Sequence, residues 1–270
     1  MGAVGVTGDP AVEPDGASGS AKLPDGVPAR RIGAAPEATL ARQEWDGDPR
    51  ISPGQAPALW AAVARGRAFG AFGDRPLADQ VRHAWSFGDI VDELCGSGAT
   101  SPVLDLGSGG GLPGLVLAHR WPGRPIVLLD SAHRRCALLE QAIEACRLRA
   151  SVAVVCARAE LAGRDPQFRG AMGVVVARSF GPPPVTAECA APFLQVGGVL
   201  VVSEPPDEDP GRWPVDWVGE LGLRPVRSVR SPVHLTVLEQ ERPCPERYPR
   251  RVGIPSKRPL YRVEPVLRGG

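Results

Sequence analysis

From Pro57 onward, apolar residues recur at helical intervals: Leu59, Trp60 and Val63, then Phe69, Phe72, Leu77, Val81, Trp85, Ile90, Val91 and Leu94. This spacing predicts a small helical subdomain that ends at "CGSGATSP". Beyond Pro102 the period changes. "PVLDL", "PIVLLD", "SVAVVCA", "MGVVVARS" and "VLVVSE" are short, β-branched runs, each the length of a buried strand. Helical patterns separate them, at Gly111 to Trp121, along "SAHRRCALLEQAIEACRL", and from Val185 to Leu194. In the second of these helices Leu138, Leu139, Ala142, Ile143 and Cys146 fall on one face, and Ser131 is placed to cap it. "LRPVRSV" and "VHLTVLEQ" close the series. Their link at Arg230-Ser231-Pro232 is too short for a parallel crossover, so the pair is expected to be antiparallel. Buried runs alternating with amphipathic helices predict an α/β fold. The sheet is read as seven-stranded and mostly parallel, with helices on both faces and an antiparallel last strand.

Composition changes this picture mainly at the ends. Residues 1–53 are rich in Gly, Pro, Ala and Asp with almost no apolar periodicity, and too little apolar surface to offset the entropy of ordering. They are read as a disordered leader, dispensable for folding. The remaining divisions are a helical subdomain at 54–98, a main domain at 99–243 and a basic strip at 244–270. Formal net charge is only +1, so whole-molecule charge does not point to a nucleic-acid partner. The strip differs: Arg247, Arg250, Arg251, Lys257 and Arg258 lie among prolines, a pattern suited to tracking phosphates. Six cysteines form no CxxC pair and no zinc spacing, and Cys136, Cys146 and Cys156 sit in apolar patterns, so reduced thiols and no metal are expected. No apolar run reaches the roughly 18 residues of a membrane span, and the first residues lack a secretory pattern, which places the chain in the cytoplasm. His83, His119, His133 and His234 are scattered, and no Cys or Ser motif accompanies them in sequence.

The chemistry concentrates in "VLDLGSGGGLPGL", Val103 to Leu115. Asp105 ends a strand. Gly107, Gly109 and Gly111 then form GxGxG before a helix, where an open α/β sheet places its ligand and where glycine lets backbone amides approach closely. Asp130 ends the next strand, positioned to accept both hydroxyls of a ribose, with capping of the following helix as the competing use. Leu112-Pro113 occupies the helix start where a dinucleotide site would want a phosphate cradle. An apolar contact there suits S-adenosyl-L-methionine better than NAD.

A sheet ending in one reversed strand resembles the class I (Rossmann-like) methyltransferases. "LDLGSGGGLPGLVLA", "VLLDSAHRRCALLE", "CARAEL", "VVVARSF" and "YPRRVGIPSKRPL" resemble, in order and spacing, the bacterial 16S ribosomal RNA guanine-N7 methyltransferase family (RsmG, also called GidB). "RHAWSFGDIVDEL" resembles that family's helix before the first strand. The resemblance implies S-adenosyl-L-methionine contacts at Gly107, Leu112, Ala159, Glu160 and Arg178. It implies a monomeric enzyme acting on 16S rRNA or the small ribosomal subunit, with neither membrane nor metal. The chain also departs from the family: the Trp-Asn…Asn-Leu-Thr segment is missing, "SEPP" replaces a lysine-glycine pair, and "SFGPPPV" replaces a more usual Ala-Pro-Leu run. A small-molecule methyltransferase and a non-catalytic binder of RNA or cofactor therefore remain open as alternatives.

Overall fold

Successive side chains of a strand point to opposite faces, so the fully buried strands β1 and β4 feed two cores, one on each face of the sheet. The computed structural model describes residues 45–206, 210–230 and 233–262. Helices α1 (Pro57–Ala68) and α2 (Leu77–Cys95) precede β1 (Val103–Leu106), α3 (Gly114–Arg120), β2 (Ile126–Asp130), α4 (His133–Ala145) and β3 (Val152–Cys156). Then come α5 (Ala159–Ala162), β4 (Met172–Ala177), α6 (Pro183–Ala190), β5 (Leu194–Ser203), α7 (Val215–Gly219), β6 (Leu223–Val229), β7 (Leu235–Gln240) and α8 (Ile254–Lys257). The seven strands lie in the order β3-β2-β1-β4-β5-β7-β6. The first five are parallel; β7 runs antiparallel to both β5 and β6. This is the predicted sheet, with its reversed last strand.

Val103, Val174, Val176, Val199 and Val201 face a core shared with Leu59, Trp60, Val63, Val81 and Phe87, so α1 and α2 share that core with the sheet. Leu104, Leu106, Val175, Ala177, Leu200 and Val202 face the opposite core, with Val185, Phe193, Trp213, Tyr248 and Tyr261. The C-terminal strip is thus partly a core element.

Residues 1–44 of the expected leader lie outside the described residues. In the rest of it Ile51 is fully buried, its carbonyl accepts from Trp60 Nε1 at 2.8 Å, and Trp45 packs edge-on to Trp60. Periodicity could not reveal this, because two apolar anchors in a proline-rich segment make no repeat. The expected cap also differs. Ala132, not Ser131, precedes the first turn of α4, and Asp130 Oδ1 accepts its amide at 2.9 Å.

Candidate active site

The glycines of the first turn have separate physical causes. Gly107 has φ +73°, and a Cβ there would lie 2.6 Å from the Phe180 ring. Gly114 has an ordinary φ, but its Cβ would lie 2.3 Å from Leu128 and 2.7 Å from Asp105 Oδ2. One glycine keeps the pocket floor open; the other lets the helix approach the sheet. Gly109 donates its amide to Asp130 Oδ2 at 2.9 Å, which ties the turn to the end of β2.

Asp130 is buried and accepts from both the turn and the start of α4, with Arg135 Nη1 at 3.5 Å. It opens into a cleft of about 240 Å³ lined also by Gly107, Arg158, Ala159, Glu160 and Ser256. The structure therefore brings together four of the expected cofactor residues: Gly107, Asp130, Ala159 and Glu160. Glu160 is engaged, however, since its Oε1 accepts the Gly253 amide at 2.9 Å and draws the C-terminal strip to the cleft. Leu112, at the same turn, is buried and packs in the core.

Asp105 lies fully buried beneath the turn. Its Oδ2 accepts the Gly114 amide at 2.9 Å, while Oδ1 has no protein partner. Burial pushes its carboxyl up to about 7. A carboxyl raised in the folded state binds more protons there than in the unfolded chain. Its contribution to stability is present at low pH and is lost as pH rises toward 7. Urea midpoints measured from pH 5 to pH 8 should fall for the wild type relative to Asp105→Asn, which has no such carboxyl.

Arg178 follows β4 and lines a second cleft, of about 400 Å³, shared with Arg75, His83, Gly181, Ser203 and Glu204. Its Nη2 donates to Gln80 Oε1 at 2.9 Å, and its buried Nη1 has no protein partner. Gln80 also donates to the carbonyls of Gly73 and Arg75, which fixes the α1–α2 loop against the site. His83 Nδ1 is likewise buried and without a protein partner, and burial with nearby Arg178 pushes the imidazole down to about 4. Sequence reasoning missed Gln80 and His83. The available signal was two polar residues on the apolar face of α2, beside Leu77, Val81, Ala84 and Phe87. Ser179 and Phe180 line both clefts, so the two meet across them. Ser179 takes φ 55°, an uncommon conformation for a residue with a side chain.

Both segments that depart from the family pattern border this second cleft. Glu204 of "SEPP" accepts from Arg212 Nη1 and Trp213 Nε1, each at 2.5 Å, and Phe180, Gly181 and Pro183 of "SFGPPPV" form the facing wall.

The basic strip is divided. Arg250 is engaged: its Nε and backbone amide donate to Glu188 Oε1 at 2.8 and 2.9 Å and its Nη2 to Oε2 at 2.6 Å, against a carboxylate with no exposure. It clamps the strip to α6. Arg247 lies over the Tyr248 ring, while Arg247, Arg251, Lys257 and Arg258 remain exposed. The cysteine expectation is also overturned, since Cys136 and Cys156 are joined in a disulfide with Cα–Cα 5.8 Å. His133 Nδ1 lies 3.5 Å from Cys156 Sγ, so one of the scattered histidines does meet a cysteine. Pairing of adjacent β3 and α4 ends brought these residues together, and no local motif announces it. Among the described residues no group of three or more His, Cys, Asp or Glu is arranged to hold a metal, and no helix is long and apolar enough to cross a membrane.

A crystal structure from Klebsiella pneumoniae, described only provisionally as an O-methyltransferase, superposes with TM-score 0.50 at 12% identity, covering 76% of this chain and 96% of that one. That likeness speaks to the fold alone. Residues 82–204 match the family described as "GidB: rRNA small subunit methyltransferase G". The chain is 34% identical over 185 residues to the ribosomal RNA small subunit methyltransferase G of Prochlorococcus marinus, covering 63% of this chain and 72% of that protein. It is 34% identical over 193 residues to the protein of that name from Roseiflexus castenholzii, covering 69% and 78%. A chain that spans so much of these relatives, with the sheet order of a methyltransferase and the two clefts at the carboxyl ends of its strands, belongs to the ribosomal RNA small subunit methyltransferase G family.

Proposed function

We propose that this methyltransferase uses S-adenosyl-L-methionine to methylate N7 of a guanine in 16S ribosomal RNA. The carrying observation is the pair of clefts that meet across Ser179 and Phe180, one on each side of the end of β4. The residues of the first cleft fit the cofactor. Asp130 suits a ribose, and Gly107 leaves room where a Cβ would strike Phe180. Outside that lining, two buried polar atoms, Asp105 Oδ1 beneath the turn and Arg178 Nη1 in the second cleft, have no protein partner. These last two suit the amino and carboxylate groups of a methionine moiety. When bound, S-adenosyl-L-methionine supplies an electrophilic sulfonium methyl group.

Guanine N7 presents a lone pair with no proton to remove, so the chain needs no general base. What the site must do is hold the acceptor in line and exclude water. His83 suits such a site. With its imidazole pushed down to about 4 it stays neutral near pH 7, adding no positive charge beside a purine that becomes cationic. The exposed Arg247, Arg251, Lys257 and Arg258 support a phosphate-tracking strip beside the first cleft, where Ser256 forms part of the wall. Arg251→Ala and Lys257→Ala should each reduce the salt slope of RNA binding by about one unit. Salt-titrated filter binding checks this, and an unchanged slope would remove the strip from the RNA interface.

Asp130→Ala should weaken S-adenosyl-L-methionine binding by roughly 1.5–3 kcal/mol, the worth of hydrogen bonds to a charged group. Calorimetry of the purified variant measures this. Lost stability with unchanged affinity would assign Asp130 to the turn and helix start alone.

A second reading has one observation in its favour. The "SEPP" and "SFGPPPV" segments both line the second cleft, and they place a carboxylate, Glu204, at its wall. A changed acceptor on the same cofactor chemistry is the form that reading takes. Methyl transfer assayed on RNA and on small-molecule extracts side by side decides between them.

A further inference from the structure

We infer that Cys156 and Cys136 form a reversible thiol modification site, closed by exchange with a low-molecular-weight disulfide, which sets the affinity of the adjoining cofactor cleft. The inference rests on the cofactor reading of that cleft. Three observations carry it. Cys156 is exposed at the end of β3, whereas Cys136 is buried in the first turn of α4, 5.8 Å away by Cα. That separation lies within the range a disulfide spans without backbone movement. His133 Nδ1 stands 3.5 Å from Cys156 Sγ, within reach of its proton. And Asp130 lies between the two cysteines: it is the β2 partner of Cys156 across the sheet, and its carbonyl is 3.3 Å from Cys136 Sγ.

The geometry assigns an order of events. Cys156 gives its proton to His133 Nδ1 and, as a thiolate, attacks one sulfur of the small disulfide, releasing one small thiolate that takes up a proton. Cys136 then loses its proton and attacks Cys156 Sγ, forming the internal disulfide and releasing the second small thiol. Two protein thiols are oxidised and one small disulfide is reduced to two thiols. The exposed residue is the entry point because only it meets a solvent-borne reagent, and the buried one resolves the mixed disulfide.

Closing the bond ties the start of α4 to the end of β3. Asp130 and the Ala132 amide lie between those ends, so the link restricts motion at the wall where the ribose is expected. The closed form should bind the cofactor more tightly.

The test uses the full chain in two states, reduced with dithiothreitol and oxidised with glutathione disulfide, with peptide mass mapping and calorimetry against S-adenosyl-L-methionine. Cys156 should be captured faster than Cys95, the other exposed cysteine of the described residues. In Cys136→Ser the mixed disulfide should persist on Cys156, and in His133→Ala capture at Cys156 should slow while Cys95 is unaffected. The reduced wild type should bind cofactor about fivefold more weakly, or more, than the oxidised form. Cys136→Ser/Cys156→Ser should lose that dependence; if this variant does not fold, the two states of the wild type still decide. Equal affinity in both states, or capture of Cys156 no faster than Cys95, would overturn the proposal alone. No cofactor binding in either state would overturn the cofactor reading as well.

Discussion

Arg250→Ala should destabilise the protein by about 3–5 kcal/mol, because it strands the Glu188 carboxylate in a site with no exposure. Glu188 lies in α6, and its oxygens accept the Arg250 amide as well as both arms of the guanidinium. Arg250 in turn donates to the Arg258 carbonyl at 2.8 Å, so losing the guanidinium also removes a bond within the strip. Arg169 is a parallel brace, donating to the carbonyls of Cys244, Pro245 and Tyr248, but it holds the segment before Arg250 and cannot replace the clamp. Urea denaturation measures the loss, and Glu188→Gln/Arg250→Gln should recover part of it by making the pair neutral. A midpoint for Arg250→Ala within error of the wild type would mean that the clamp contributes nothing. Cofactor affinity should also fall, because Gly253 and Ser256 of the same strip reach the first cleft.

Gly107→Val should abolish measurable S-adenosyl-L-methionine binding. Two effects act together: valine does not tolerate φ +73°, and its Cβ would stand 2.6 Å from the Phe180 ring. Phe180 is shared by both clefts, so the ring cannot move aside without deforming the wall between them. Circular dichroism should retain the α/β signature, since Gly107 lies beyond β1 rather than within the sheet. Calorimetry that finds wild-type affinity would remove the turn from the cofactor site.

The sheet was legible because strands buried on both faces leave long β-branched runs, and Val174, Val175 and Val176 are an uninterrupted instance. Short helices escaped notice. α5, α7 and α8 have four or five residues each, too few for any periodic pattern to register. At the site, residues that act through the backbone or end a strand were readable: Gly107, Gly109 and Asp130 announced themselves by position. An apolar residue beside a ligand loop, such as Leu112, looks the same in sequence whether it faces the ligand or the core. The Arg250–Glu188 clamp is hidden for a related reason. A basic run says nothing about which of its members finds a buried carboxylate 62 residues away. His83, Gln80 and the Cys136–Cys156 pair depend on contacts between distant elements, which local spacing does not encode.

On the proposed reading, the two clefts together transfer a methyl group to guanine N7 of 16S ribosomal RNA. The most direct measurement incubates the purified protein with labelled S-adenosyl-L-methionine and small ribosomal subunits from cells lacking that modification, followed by nuclease digestion and mass spectrometry of the nucleosides. Label recovered as N7-methylguanosine, and absent with Gly107→Val, is the result predicted. Cofactor binding by calorimetry with no label in any RNA nucleoside would contradict it.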